Sequence, residues 1–350
     1  MANWSKNKTL PANINNGNEY AIGDNVALED LNAITNNSFY AMEKADEAKT
    51  LTNNFSNPNL LINGDFRINQ RGKASYTGNN IYTVDRWLTY GGSSASIVPN
   101  SSGTINIQIL QALSNGLILV QMLEQDFSKY VGQTFTFSTK TKLTGTGTYN
   151  VSIRQYDSNR DEISSVRKDI TITQNAISSG SSTIDTNCVE VRVLFRTVSA
   201  VLNDVYTIEW AKLEVGGVAT PFSPRPYAEE LALCQRYYQR FNTGDNYSEY
   251  ALGFLASKTS AQFQFPLTQT LRTTPTLVVS GNDNFTVRFG NQSDGTLLQI
   301  ATTGMAIRNV KQNNVFITAS WTTELNVNYS VATLRSKVST SYIAFDAEIY

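Results

Sequence analysis

From Asn59 onward, apolar residues come in short runs separated by turn residues at intervals of roughly 8–12 positions, and many runs alternate with a period of two. Examples are TINIQIL (104–110), LILVQML (117–123), TFTFSTKTKL (134–143), YNVSIRQY (149–156), VEVRVLFRTV (189–198) and VYTIEWAKLEV (205–215). Period-two alternation puts one set of side chains on a buried face and the other on a solvated face, as an antiparallel sheet requires. Many such segments with turns between them predict a β-sandwich. The segment TPFSPRP (220–226) holds three of the eight prolines and marks a boundary. The runs resume from residue 250, with ALGFLAS, AQFQFPL, PTLVVSG, FTVRFG, GTLLQIA, VFITASW, LNVNYSVA and YIAFDAEIY, and predict a second all-β domain.

Two stretches depart from this texture. Residues 1–25 are polar, with Pro11, Gly17 and Gly23, and read as an extended arm. After it, Ala27, Leu31, Ile34, Ser38, Ala41, Ala45 and Ala48 recur at steps of four and three, which is heptad spacing and predicts a short coiled coil. Its small, Ala-rich seam leaves the number of strands in the coil open. The second is AEELALCQRYYQRF (228–241), where Leu231, Cys234, Tyr237, Tyr238 and Phe241 fall on one helical face and predict a linker helix. The expected organisation is an N-terminal arm and helix over 1–58, a sandwich over 59–225, a helical linker over 226–249 and a C-terminal sandwich over 250–350.

Charge and residue inventory narrow the function. The chain has 28 Lys and Arg against 29 Asp and Glu, a formal net charge of −1, so little counterion release is available for binding nucleic acid. There is no histidine, which removes Ser-His-Asp triads, Cys-His dyads and His-ligated zinc. Cys188 and Cys234 are too few for a disulfide framework and read as free, buried residues. The opening MANWSKNKTLPANINNGNEY has no apolar run, and no stretch approaches the ~18 apolar residues of a membrane span, so neither a leader nor a membrane partner is expected.

The run NLLINGDFRINQRG (59–72) followed by YTVDRW (82–87) resembles the opening of a jelly-roll domain that recurs in bacteriophage and prophage tail fibres. WAKLEVGGVATPFSPRPYAEELALCQRYYQRF (210–241) is similar to the closing signature of the same domain. FPLTQTLRTTPTLVVS (265–280), with the terminal YIAFDAEIY, resembles the C-terminal part of such fibres. The resemblance covers about residues 59–350. It implies a homotrimeric receptor-binding fibre with a carbohydrate-binding-module-like jelly roll. Such a fibre sits in a virion tail or a phage-derived bacteriocin particle, assembled in the host cytoplasm. It docks on a baseplate or tail protein through its N-terminal segment and adheres to bacterial surface glycans.

Individual residues carry more than one reading. Asp65, beside the turn pair Asn63-Gly64, either caps that turn or, as in related sugar-binding jelly rolls, lies near a structural calcium; no other cofactor is implied. Phe66 alternates into the core. Asp85, Arg86 and Trp87 offer either a sugar-stacking platform or a core anchor with the Asp-Arg pair bracing the edge, and the position at a strand start favours the anchor. Trp210, on an alternating strand, reads as core. Glycan contacts are expected at the C-terminal tip, where amides, carboxylates and aromatic faces share loops: Asp245, Tyr247 and Tyr250 in NTGDNYSEY, Asn282 and Asp283 in SGNDN, and Trp321 and Tyr329 in ASWTTELNVNY. The competing function is a polysaccharide depolymerase, which needs only two carboxylates about 5–10 Å apart. Asp161-Glu162, Glu229-Glu230 and Asp346 with Glu348 are the visible pairs, and none reads as a buried pair.

Overall fold

The alternating runs become antiparallel strands. The computed structural model describes residues 37–44, 56–90, 92–290, 297–325 and 331–349. The chain divides between Asn57 and Pro58 into two units. In the first, the described part of the expected coil is a helix over 37–44, in which Phe39, Tyr40 and Met42 are exposed. The remaining heptad positions other than Ser38 and Ala41, and the arm, lie outside the described residues.

The second unit begins with a sandwich of two sheets. One places Tyr76–Gly78, Gly92–Pro99, Ile105–Ile109, Val205–Val215, Thr134–Thr144 and Ile177–Thr183 side by side. The other orders Lys168–Thr171, Thr148–Tyr156, Glu190–Ala200, Leu117–Met122, Leu88–Thr89 and Ile81–Tyr82, with Leu113–Ser114 also on Glu190–Ala200. Every pairing is antiparallel. The inward residues form one core around an aromatic chain. Phe66 lies 5.0 Å from Trp87, Trp87 5.8 Å from Phe195, and Phe195 6.0 Å from Phe137 and 6.3 Å from Tyr206. Trp87 is fully buried, and its indole N–H donates to the Asn63 carbonyl at 2.9 Å, so it is the expected core anchor.

The two end signatures of this sandwich meet in space. Asn59 accepts from the Leu61 and Leu213 amides and donates to the Ala211 carbonyl, tying the opening segment to the closing strand. Gly64 is required there because a Cβ would stand 2.4 Å from the Ala211 carbonyl oxygen. Asn63, at φ 56°, closes the turn by exchanging hydrogen bonds with Ile68 and donating to the Asp85 carbonyl. Trp210 is not a core residue. It is half-buried on the outer side of its strand and stacks 4.9 Å from Phe222 of the proline segment, because a register shift at residue 209 moves it out of the inward series.

The linker differs from its expected form. A helix covers only Tyr227–Gln235, and Tyr238–Asn242 is a strand paired with Tyr342–Asp346, which also pairs Thr276–Val279. The spacing of apolar residues fitted a helix through Phe241, but the C-terminal strand supplies backbone partners that override it, as tertiary pairing does to marginal local preferences. Within the helix the buried residues are Glu230 and Cys234. The three-stranded sheet packs on a seven-stranded one, ordered Leu297–Ala301, Phe285–Gly290, Val331–Ser336, Glu249–Ser257, Ser260–Pro266, Asn314–Ser320 and Gly304–Lys311. Phe241, Phe265 and Phe345 sit 5.4–5.8 Å apart between them. The described residues are therefore mainly β, with two α-helices, and no described helix is long and apolar enough to cross a membrane.

Candidate functional site

The expected tip residues separate into buried and exposed groups. Trp321 is buried in the second core and donates its indole N–H to the Lys258 carbonyl at 3.2 Å, so it offers no stacking face to a sugar. An apolar indole just beyond a strand that is paired on both edges gains more from the core than from solvent. Tyr250 is half-buried against Phe285, and its hydroxyl donates to the Ser341 carbonyl at 2.5 Å. Asp245 and Tyr247 are exposed on one loop held by Ser336, whose hydroxyl donates to the Asp245 carbonyl and whose own carbonyl accepts from the Tyr247 amide. Asn282 and Asp283 are exposed on a 3-10 turn, Asn282–Asn284, held by Lys337 and Ser341. The segment 336–341 thus braces both loops. Tyr329 lies outside the described residues.

Asp85 and Arg86 do not brace one another. Arg86, at φ 72°, reaches across to the C-terminal segment, where its guanidinium meets the Glu348 carboxylate at 2.5 Å and lies 3.6 Å over the Tyr237 ring. It also donates to the Met122 carbonyl at 2.8 Å. Arg71 sits between the Tyr238 and Tyr82 rings and pairs with Asp346 at 3.3 Å and Glu348 at 3.5 Å. These contacts fasten the last residues of the chain to the first sandwich. Asp85 instead accepts from the amide and side chain of Gln70, each at 2.7 Å.

Burial raises the Asp85 carboxyl from the ordinary 3.8 to about 6, against the lowering effects of Arg71 and the Gln70 hydrogen bonds. A buried carboxyl with such a value is the signature sought in acid-base sites, but Asp85 is fully buried and reaches no substrate. Its folded form holds a proton more tightly than its unfolded form. Its contribution to stability is therefore greatest at low pH and is lost as pH rises from about 4 to about 6. Asp85→Asn is expected to remove that component, making the slope of unfolding free energy against pH more positive over this window. An unchanged slope in urea titrations would show that Asp85 does not titrate there.

The carboxylate pairs suited to glycoside hydrolysis are otherwise engaged. Glu162 pairs with Arg154 at 2.9 Å. Glu230 is buried, accepting from the Asn63 amide at 2.6 Å and from Arg225 at 3.1 Å, while Glu229 stands outside. Asp346 and Glu348 belong to the arginine junction. Asp65 pairs with Arg67 at 2.7 Å, and no group of three or more acidic or cysteine side chains suited to a metal ion occurs among the described residues. Cys188 and Cys234 are buried and unpaired, and burial pushes the Cys188 thiol up to about 11.

Two open polar surfaces lie on the first sandwich. A groove of about 760 Å³ runs where the sandwich meets the helix and the C-terminal segment, lined by Leu123, Glu124, Gln125, Asp157, Arg160, Glu190, Arg236, Tyr237 and Ile349. Tyr237 donates to Glu124 at 2.6 Å, and the Gln125 side-chain oxygen is buried without a hydrogen-bond partner. Through Glu190 the groove continues onto the outer face of the sheet that contains Glu190–Ala200. Strand pairing places Arg192 between Arg154 and Met122, Leu194 between Ser152 and Val120, and Arg196 between Asn150 and Leu117. Tyr82, Leu88, Val120, Met122 and Leu194 form an apolar floor separate from the main core. Arg192 pairs with Glu190 at 2.5 Å and lies 4.0 Å over the Tyr156 ring, and Arg167 pairs with Asp169 at 2.8 Å. Guanidinium groups, carboxylates and amides at this surface provide fixed hydrogen-bonding groups of the kind sugar hydroxyls require, while the Tyr156 and Tyr237 rings are buried beneath Arg192 and Arg86 and offer no free stacking face. Composition gave no hint of this face, because its arginines are scattered over more than 40 positions and converge only through strand pairing.

No protein-family model and no curated protein matches the sequence. Similar solved structures include a carbohydrate-binding module of the CBM4 type, at 16% identity and a TM-score of 0.30, covering 44% of this chain and 98% of that one. The tandem CBM22 domains of Xyn10C from Paenibacillus barcinonensis give 10% identity and a TM-score of 0.27 over 84% of this chain and 98% of that one. The enzymatically active domain of tailspike protein 4 of bacteriophage CBA120 gives 16% identity and a TM-score of 0.27, over 45% of this chain and 21% of that one. Scores this low transfer no function, and chemistry has to be read from the surface of this chain itself.

Proposed function

We propose that the protein is a receptor-binding fibre of a phage or phage-derived particle that adheres to bacterial surface glycans without cleaving them. The observation that carries the reading is the open groove and sheet face on a rigid β-sandwich, lined by half-buried guanidinium, carboxylate and amide groups over a buried apolar layer. The ordered tail-fibre-like signatures at both ends of that sandwich support it. Extended surfaces of this kind suit a polymer lying along them, and weak contacts on each chain of a homotrimer add through avidity. The N-terminal segment serves for docking on a baseplate or tail protein, and the exposed loops with Asp245, Tyr247, Asn282 and Asp283 are a second contact region at the tip. The depolymerase reading loses support because Glu162, Glu230, Asp346 and Glu348 are each held by an arginine.

Binding of fluorescently labelled full-length protein to a panel of bacterial cells and extracted wall glycans, with mass measured by light scattering in the same sample, tests the reading. Saturable binding to a few strains by a trimer, with no release of reducing sugar, is the expected result. A monomer that binds no cell and no glycan would overturn it.

A further inference from the structure

We infer that the arginine-bearing outer face of the first sandwich recognises an acidic polysaccharide, one whose repeat carries a phosphodiester or carboxylate group. The inference rests on the glycan-binding reading and names the class of glycan. Arg154, Arg167, Arg192 and Arg196 converge on this face against Glu162, Asp169 and Glu190. One guanidinium therefore exceeds the carboxylates, and the pairing identifies it. Arg196 forms no ion pair among the described residues, and its one hydrogen bond, to the Asn115 carbonyl, is long at 3.5 Å.

Three further observations fit an anion-binding face. Arg154 and Arg192 stand directly opposite each other on neighbouring strands, an arrangement that like charges destabilise. The Nε of Arg154, a donor, is buried without a hydrogen-bond partner. Burial and then the charges of Arg154 and Arg167 lower the pKa of Arg196, with Asp169 and Glu162 acting against them. A bound oxyanion would relieve the repulsion between these arginines and engage planar guanidinium donors in the geometry they favour. The chain as a whole is net negative by one charge, so retention of a polyanion would have to come from this local field rather than from overall charge.

The test uses the full-length protein with three immobilised polymers: poly(glycerol phosphate), polygalacturonate and neutral dextran. The expected result is retention on at least one acidic polymer, weakened as NaCl rises from about 50 to 500 mM, with dextran bound at least about tenfold less tightly. Which acidic polymer is preferred separates a phosphodiester from a carboxylate ligand. Arg196→Gln, which breaks no ion pair, and Arg167→Gln on the exposed rim are each expected to weaken retention about tenfold, while Lys311→Gln on the other sandwich leaves it unchanged. Equal binding of dextran, or wild-type retention by both arginine variants, would overturn the inference. So would a single-stranded DNA oligonucleotide bound as tightly as the best polysaccharide, since charge alone would then be read. Cell binding undiminished in the arginine variants sinks this inference and leaves adhesion standing. Loss of all cell binding with retention on an acidic polymer does the reverse.

Discussion

Glu348→Ala is expected to destabilise the protein by about 3–5 kcal/mol, the usual cost of leaving one member of a buried ion pair alone. The side chains of Arg86 and Glu348 are 1% and 0% exposed and 2.5 Å apart, so no water is at hand to take over from the lost carboxylate. Arg71 would lose one of its two carboxylate partners in the same step. The effect should concentrate at the junction, because the C-terminal residues are held to the first sandwich by this cluster and by the Tyr82 hydroxyl on the Ile349 carbonyl, and to the linker by the Ala347 amide on the Tyr237 carbonyl. Faster proteolysis near residues 236–242 and 346–350, together with a lower urea midpoint, is the readout. Replacing both partners by apolar residues, Arg86→Met with Glu348→Leu, should cost clearly less than the single change, because no buried charge is then stranded. A Glu348→Ala protein within 1 kcal/mol of wild type would mean that Arg86 finds another partner.

Trp87→Ala is expected to cost a similar amount, about 3–5 kcal/mol, but through a different mechanism. Trp87 touches both Phe66 and Phe195 in the middle of the aromatic chain, and its removal leaves a cavity between the two sheets and takes one of the two donors, the other being the Phe66 amide, from the Asn63 carbonyl. The midpoint for unfolding of the first sandwich should fall by about 1 M urea or more, given slopes of a few kcal/mol per M for domains of this size. Trp87→Phe should recover most of the packing and not the hydrogen bond, and so fall between the two. If Trp87→Ala left binding and stability intact, the core role of the YTVDRW motif would be wrong.

These two predictions also separate what could be read before folding from what could not. The inward members of the alternating runs reveal themselves in sequence, because period-two alternation is a local property and burial follows from it, whereas Leu61, Phe66 and Trp87 are buried from turns and are marked by the motifs that hold them. Trp210 shows the limit of the same rule. One irregularity in register turns it from the core to the surface, where Phe222 covers it, and no periodicity records a bulge at residue 209 of its own strand. Tyr238 and Phe241 show another limit: their spacing fits a helix, but a strand about a hundred residues later claims their backbone.

The candidate site was the least legible part. The tip loops carry sugar-like composition, yet Trp321 turned inward and Tyr250 was half-buried, because turn residues and ligand residues draw on the same amino acids. Sequence alone determined the β class, the two stretches of strands, and the lack of histidine chemistry, since each depends on composition or on neighbours a few positions apart. Only the tertiary structure decided that Arg86 answers to Glu348 across 262 residues and that Arg154, Arg167, Arg192 and Arg196 share one face. Those relations are set by which strands pair and in what register, and electrostatic partnership follows distance in space rather than distance along the chain.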